Sequence, residues 1–309
     1  MKPLVIANPL SRRGRTGARW PEIEARLRSS LDTFDLAFTR EAGHAIALAR
    51  EAVRGGCRHL IAVGGDGTMN EVANGMAQGG GGLPPADVVL SPIPSGTGSD
   101  TARMLGLLEN PARPYTALVA GASRRIDLIR VRCAGLDARP VERLALVCAS
   151  FGAAAEISHR TSASPVLKAL GGRFSYYAHT LAVTLTYGRH PVAMAHDAEP
   201  AERCDVYTGL ICNQERAGGG MRLAPGADPR DGELDLVLFG AIRRRDILLR
   251  GPRWLYEGRH VEHPQVSLRR IRRLAVDGPA EMLVDLDGET VGRLPLEAEA
   301  LPTALTLGA

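Results

Sequence analysis

Residues 60–75 read Leu-Ile-Ala-Val-Gly-Gly-Asp-Gly-Thr-Met-Asn-Glu-Val-Ala-Asn-Gly, and no other stretch constrains the fold as tightly. Leu60 to Val63 form a short apolar run suited to a buried parallel strand. Gly64, Gly65 and Gly67 permit a turn whose backbone comes close to a ligand. Thr68 then opens an amphipathic stretch, and Glu71 completes a Thr-x-x-Glu capping box. The product is strand, glycine turn and helix, which aims backbone N–H groups and a helix N-terminus at an anion. Asp66 sets this element apart from an ordinary phosphate loop. A carboxylate beside phosphate is repelled unless a cation or an incoming hydroxyl lies between them. The combination points to metal-assisted phosphoryl transfer. A Gly-Gly-x-Gly turn alone would serve equally well as a plain strand–turn–helix corner.

The flanking sequence repeats the pattern. Strands are expected at 4–7, 34–39 and 88–92, with helices at 18–31 and 44–54. Such alternation gives a parallel sheet covered by helices, with ligands at the carboxyl ends of the strands. Those ends carry Asn8, Thr39, Gly65–Thr68 and the turn Pro94-Ser95-Gly96-Thr97-Gly98. After about residue 125 the rhythm changes. Strand-like runs at 126–133, 143–149, 206–211, 234–239, 266–268 and 282–284 follow without regular intervening helices, apart from one within 165–187 and one near 246–255. The expected fold is an α/β N-terminal domain over 1–124 with a parallel sheet and glycine-rich nucleotide loops. A β-rich, sandwich-like domain over 125–292 follows it.

Composition narrows the function. The chain has 309 residues, enough for two domains, and its 45% hydrophobic and 23% charged residues suit a soluble globular protein. No stretch approaches the ~20 uninterrupted apolar residues of a spanning helix, and Met1-Lys2-Pro3 leads straight into a strand rather than a signal peptide. A cytoplasmic protein with peripheral membrane contact is expected. The five cysteines contain no Cys-x-x-Cys pair and read as buried small residues in a reducing compartment. A formal charge of +4 does not demand nucleic acid, and none is expected as a partner. Lys2 and Lys168 are the only lysines. Neither suits a Walker or strand lysine, so arginine, backbone amides and metal must hold any phosphates. The histidines lack metal-ligand spacing, and no Gly-x-Ser-x-Gly elbow appears.

The string from Gly64 to Gly75 resembles the diacylglycerol-kinase catalytic family, the soluble bacterial lipid kinases related to sphingosine and ceramide kinases. Further motifs follow in family order from Asn8 to about Leu296. Asn8-Pro9-Leu10-Ser11-Arg12 matches the family's Asn-Pro-x-Ser-Gly loop for ATP, with Arg12 in the glycine's place. Residues 94–100 match Pro-x-Gly-Thr-x-Asn-Asp, with Ser99 replacing asparagine. The resemblance implies that Asn8, Pro9, Leu10, Ser11, Arg12, Thr39, Gly65, Asp66, Gly67, Thr68, Met69, Asn70, Glu71 and Thr97 bind ATP. Asp66 would also be catalytic. Asp100 and Asp127 would join a Mg2+–water network, and Asp228, Asp231 and Glu233, some through backbone carbonyls, would hold a structural magnesium, carboxylate and carbonyl ligation suiting that ion or calcium.

Residues 284–289, Val-Asp-Leu-Asp-Gly-Glu, read by themselves as a hairpin turn. The family ends with this Asp-Gly-Glu, whose carboxylates face the signature loop. Transfer to a lipid hydroxyl needs a proton acceptor, for which Glu289 is the first choice and Asp287 the competitor. Where relatives show Asn-x-x-Gly-x-Gly-x-Asp, this chain has Ala149-Ser-Phe-Gly-Ala-Ala-Ala-Glu156, so lipid selectivity does not carry over. The implied protein is an ATP- and Mg2+-dependent lipid kinase, with diacylglycerol converted to phosphatidic acid as the leading reaction. Its lipid would be held in an interdomain cleft at an anionic membrane surface. The segment 293–309 would return to the first domain, and a homodimer is left open. The rivals are an NAD kinase, which shares Gly-Gly-Asp-Gly-Thr but lacks the longer continuation, and a catalytically silent nucleotide- or lipid-binding module.

Overall fold

The computed structural model describes residues 2–96, 98–164 and 172–308. The chain forms two compact units, residues 1–128 with 302–309, and residues 129–301. The first boundary falls a few residues beyond the expected 124, and the returning segment is shorter than 293–309.

In the first unit, β1 (Leu4–Ala7), β2 (Asp35–Phe38), β3 (His59–Gly64) and β4 (Val89–Pro94) form a parallel sheet in the order β4-β3-β1-β2. Residues 306 and 307 pair in parallel with Val89 and Leu90, adding the returning chain beside β4. The helices are α1 (Arg15–Ala18), α2 (Trp20–Ser30), α3 (His44–Arg54), α4 (Asp66–Gly79), α5 (Asp100–Met104) and α6 (Arg113–Ala120). Central strands β1 and β3 are almost wholly buried, because helices cover both faces of a parallel sheet. Val5, Ala7, Ile61 and Val63 pack with Ile23 and Leu27 of α2 and Leu118 of α6. Helices α3 and α4 lie so close that a Cβ on Gly75 would sit 2.4 Å from the Ile46 carbonyl oxygen.

β5 (Ser123–Gly135) carries the chain into the second unit. There follow β6 (Pro140–Ala145), β7 (Cys148–Gly152), α7 (Ala153–Ala163), α8 (Gly172–Thr186), β8 (His190–His196), β9 (Glu202–Val206) and β10 (Thr208–Cys212). The short strands β11 (Arg216–Ala217) and β12 (Met221–Arg222) precede β13 (Leu234–Phe239) and α9 (Arg244–Tyr256). The unit closes with β14 (Val266–Ile271), β15 (Arg273–Asp277), β16 (Leu283–Leu286) and β17 (Glu289–Gly308), whose last residues belong to the first unit. One run is β14-β13-β10-β7-β16-β17, while β17 also pairs with β15 and β5, and β15 continues to β8 and β9. β17 pairs with β16 through residues 289–293 and with β15 through residues 296–299, so one long strand serves both layers of a sandwich. Phe151, Ile211, Leu236, Val276 and Val284 fill the core between them.

The strand expected at 143–149 is two strands, β6 and β7, with a break at Leu146 and Val147. β8, β9, β15 and α7 were not expected. No helix among the described residues is long and apolar enough to cross a membrane.

Candidate active site

Three loops converge at the carboxyl ends of β1, β3 and β4. Asn8 Nδ2 donates to Thr68 Oγ1 at 3.2 Å, tying the first loop to the start of α4, and Asn8 Oδ1 accepts from the Leu10 N–H at 3.0 Å. Thr16 Oγ1 lies 2.6 Å from both Ser11 Oγ and Ser95 Oγ, a hydroxyl chain joining the first loop to the third. Gly64 O accepts from Ser95 N–H at 2.8 Å, and a Cβ on Gly96 would stand 2.4 Å from Gly65 Cα. Only paired glycines allow that approach. A Cβ on Gly67, by contrast, meets nothing within 4 Å, so the backbone there faces open space. Arg12 and Arg13 have φ of 51° and 60°. Arg12 therefore adopts the left-handed conformation that glycine favours, at a cost of roughly 1–2 kcal/mol, and the turn persists without glycine.

Asp66 opens α4, and its carboxylate accepts the N–H groups of Asp100 at 3.1 Å and Thr101 at 3.2 Å. It thereby holds the start of α5 against the signature loop. Glu71 departs from the expected capping box. Its carboxylate accepts the N–H groups of Gly43 at 3.0 Å and Ala45 at 3.2 Å, capping α3 instead. The helix begins two residues before Thr68, with extended Gly65 as its N-cap and no side-chain cap. That leaves the helix N-terminus open to an anion. Met69 and Asn70 are buried within α4, Pro9 borders Gly17, and Thr39 is buried at the end of β2 with its N–H on Ala7 O. Thr97 lies outside the described residues.

The expected metal ligands are not gathered. Among the described residues, no group of three or more His, Cys, Asp and Glu side chains is arranged to hold a metal ion. Asp228 forms a two-point pair with Arg230, both contacts at 2.8 Å. Arg270 pairs with Asp231 and with Glu233, the latter at 2.9 Å, and Arg272 reaches Glu233 at 3.4 Å. Guanidinium groups thus pair with all three of the carboxylates expected to hold a structural magnesium. Asp100 is buried with Arg103 Nε 3.6 Å from its carboxylate, and fully buried Asp127 accepts Thr303 N–H at 2.6 Å. Asp127 fastens the returning chain.

In the second unit, Asp287 and Gly288, with φ of 51° and 90°, form the two-residue turn between β16 and β17. Such angles belong to the hairpin turns that Asp-Gly favours. The Asp287 carboxylate accepts three N–H groups, from Leu146 at 2.8 Å, Val147 at 3.0 Å and Cys148 at 2.9 Å. Those donors explain the break between β6 and β7. Glu289, with 58% of its side chain exposed, has Arg143 Nη2 at 3.3 Å. Asp285 of β16 is buried, with its Oδ1 accepting Gly288 N–H at 3.0 Å. Burial, reinforced by the charge of Asp287, pushes the Asp285 carboxyl up to about 7.

The same unit contains a cavity of about 370 Å³ that no sequence motif announces. Ala153, Ala154 and Ile157 of α7, Leu181 of α8, Tyr207, Phe239, Leu248 and Trp254 contribute to its walls. The lining is almost wholly apolar, and its hydroxyl-bearing residues are Thr180, Thr184, Thr208 and Tyr207. Ala154, which stands where the relatives' pattern has its second glycine, forms part of this wall.

Comparison with known proteins bears on both units. Residues 2–131 match the diacylglycerol kinase catalytic domain, and residues 147–309 match the YegS C-terminal NAD kinase beta sandwich-like domain. A diacylglycerol kinase of Mycobacterium tuberculosis (strain CDC 1551 / Oshkosh) is 29% identical over 306 residues, covering 98% of this chain and 94% of that protein. A protein of Chromohalobacter salexigens named "Probable lipid kinase YegS-like" is 31% identical, covering 94% and 90%. A solved diacylglycerol kinase from Bacillus anthracis str. Sterne shares the fold with a TM-score of 0.69 at 19% identity, covering 99% of this chain and 96% of that one. An NAD kinase from Archaeoglobus fulgidus solved with ATP is more distant in fold, at a TM-score of 0.52 and 14% identity over 99% and 93% of the chains. The glycine loops, the sandwich and these matches over nearly the full length agree: the chain belongs to the diacylglycerol kinase family of lipid kinases.

Proposed function

We propose that this lipid kinase transfers the γ-phosphoryl group of ATP to a lipid hydroxyl, with diacylglycerol as the first candidate acceptor and phosphatidic acid as the product. The observation that carries the lipid assignment is the apolar cavity of about 370 Å³ in the second unit. A nicotinamide dinucleotide needs hydrogen-bonding partners along its ribose and phosphate groups, whereas an acyl chain needs apolar walls and few polar atoms. ATP, bound as its magnesium complex, is the co-substrate. The open N-terminus of α4 and the Gly65, Gly67 and Gly96 backbone offer N–H groups and close approach in place of a lysine.

Glu289 is assigned as general base. It takes the proton of the lipid hydroxyl, whose oxygen then bonds to the γ-phosphorus as the bond to the ADP oxygen breaks. Asp287 is assigned to positioning, since three N–H groups already occupy its carboxylate. The enzyme docks peripherally on anionic membrane through Leu249, which is 84% exposed on α9, and the adjoining Arg243–Arg245. Both basic clusters are ion-paired, Arg243 and Arg245 with Asp246, and Arg269, Arg270, Arg272 and Arg273 with Glu202, Asp231, Glu233 and Glu299.

Radiolabelled ATP turnover on diacylglycerol, other hydroxylated lipids and NAD tests the proposal. Labelled phosphatidic acid is expected. Labelled NADP without labelled lipid would overturn it, and no transfer to any acceptor would favour the silent module.

A further inference from the structure

We propose that Cys148 and Cys212 form a redox-modification site, a dithiol whose closure to a disulfide displaces the turn that bears Asp287 and Glu289. The two residues stand directly opposite each other in the antiparallel β7–β10 ladder, with Sγ atoms 3.5 Å apart and both side chains buried. The ladder's hydrogen bonds fix the type of pair. Asn213 N–H donates to Val147 O at 2.9 Å, and Ala153 N–H donates to Tyr207 O at 3.0 Å. Alternation from those two pairs makes Cys148–Cys212 a non-hydrogen-bonded pair, in which Cα atoms come to about 4.5 Å. That separation lies within the span a disulfide tolerates, which is roughly 4.4–6.8 Å.

Cys148 is also tied twice to the turn. Its N–H donates to Asp287 Oδ1 at 2.9 Å, and its carbonyl accepts the Asp287 N–H at 2.9 Å. The Cα separation of about 4.5 Å is at the short limit of that span, whose mode is about 5.5–6 Å, so closing the bond between sulfurs 3.5 Å apart spreads the pair and moves the end of β7. The Cys148 backbone passes that movement to Asp287, and Glu289 follows two residues later.

The oxidant is a peroxide. The Cys148 thiolate attacks one peroxide oxygen, an S–O bond forms, the O–O bond breaks, and hydroxide leaves. Cys212 sulfur then attacks the Cys148 sulfenic sulfur, the S–S bond forms, and the S–O bond breaks with loss of water. Two thiols give up two electrons and two protons, and hydrogen peroxide becomes two waters. The hydrogen bond with Cys212, burial, and the charges of Asp287 and Asp285 hold the Cys148 thiol well above the ordinary range. The thiolate is therefore scarce, and the site answers sustained rather than brief exposure.

The test uses the full chain and millimolar hydrogen peroxide over hours. Thiols titratable after unfolding should fall from five to three. Peptide mapping should yield one species joining the Cys148 and Cys212 peptides, lighter by two hydrogens and separated by dithiothreitol. The amides of Leu146, Val147 and Cys148 should exchange faster in the oxidised protein, and the difference should vanish in Cys212→Ala. Failure to recover the linked peptide overturns the site, and unchanged exchange in a linked protein overturns the displacement. The consequence for turnover rests on the lipid kinase reading: a reversible fall of up to ~10²-fold is expected, as for a misplacement of about 1 Å. Mapping and exchange need no substrate, so they stand or fall separately from that reading.

Discussion

Arg143 Nη2 lies 3.3 Å from Glu289 Oε2, so the outermost carboxylate of the Asp-Gly-Glu turn is steered by a guanidinium from the neighbouring β6. Asp287, two residues earlier, is instead enclosed by backbone N–H groups. These environments separate the two candidates for the base. Glu289→Gln should lower lipid phosphorylation by ~10²–10⁴-fold with an unchanged melting temperature. Asp287→Asn should lower both, because a neutral amide answers three buried donors poorly, at about 1–3 kcal/mol. Parallel kinetics and thermal melts check this. Activity of Glu289→Gln within about tenfold of the parent would remove Glu289 from the role of base.

Asp66 joins two glycine loops through the Asp100 and Thr101 amides. Asp66→Ala should release the start of α5 and abolish transfer while the overall fold persists. Calorimetry with ATP and far-ultraviolet circular dichroism provide the comparison. Retained nucleotide affinity together with retained turnover would mean that the two loops hold their places without it.

Nucleotide binding should depend on a divalent cation supplied with ATP. Lys2 and Lys168 are the only lysines, and the described carboxylates are not gathered around a metal site. Titration with ATP in EDTA should show markedly weaker binding than in magnesium. Equal affinities would show that arginine and backbone N–H groups suffice.

Asp285 gives stability a pH slope of unusual sign for a carboxylate. Its carboxyl rises from 3.8 to about 7 in the fold because of burial, so the native state keeps a proton that the unfolded chain has lost. Stability from this group is greatest near pH 4, falls as pH rises towards 7, and is level above. The whole swing is on the order of 4 kcal/mol at its upper limit. Asp285→Asn should flatten that slope and raise the melting temperature at pH 8, as melts across this range can measure. A parallel pair of curves would show that Asp285 ionises freely.

Membrane docking should draw on Leu249 and Arg243–Arg245. Leu249→Asp should weaken sedimentation with phosphatidylglycerol vesicles by ~10–10²-fold, since burying a leucine is worth about 1.5–3 kcal/mol. High salt should reduce the arginine share. Equal binding of parent and variant would locate the docking face elsewhere.

Much of the first unit was legible because β1 and β3 are continuous apolar runs and α1, α3 and α4 start from glycines. The helix His44–Arg54 and the strand Leu234–Phe239 coincide with their expected limits. Glu71 misled because spacing alone does not say whether a carboxylate turns back on its own helix or reaches Gly43 and Ala45. The ion pairs of the acidic loop were hidden for a related reason. Its arginine partners Arg270 and Arg272 are some 40 residues away in sequence, and only the fold brings them to Asp231 and Glu233. The apolar cavity was invisible because its walls come from segments spread between Ala153 and Leu255, which only the fold brings together.

The strand that completes the first unit's sheet is drawn from residues 302–308, where Leu305 and Leu307 are buried and Thr306 and Leu307 pair with β4. A fragment ending at residue 128 would expose the β4 edge and leave buried Asp127 without its Thr303 amide. Such an edge invites pairing with another chain. During synthesis the first unit must therefore wait, unfinished at one edge, while the entire second unit is made. A chaperone holding that edge would act on this protein between the first domain's emergence and the last strand's arrival.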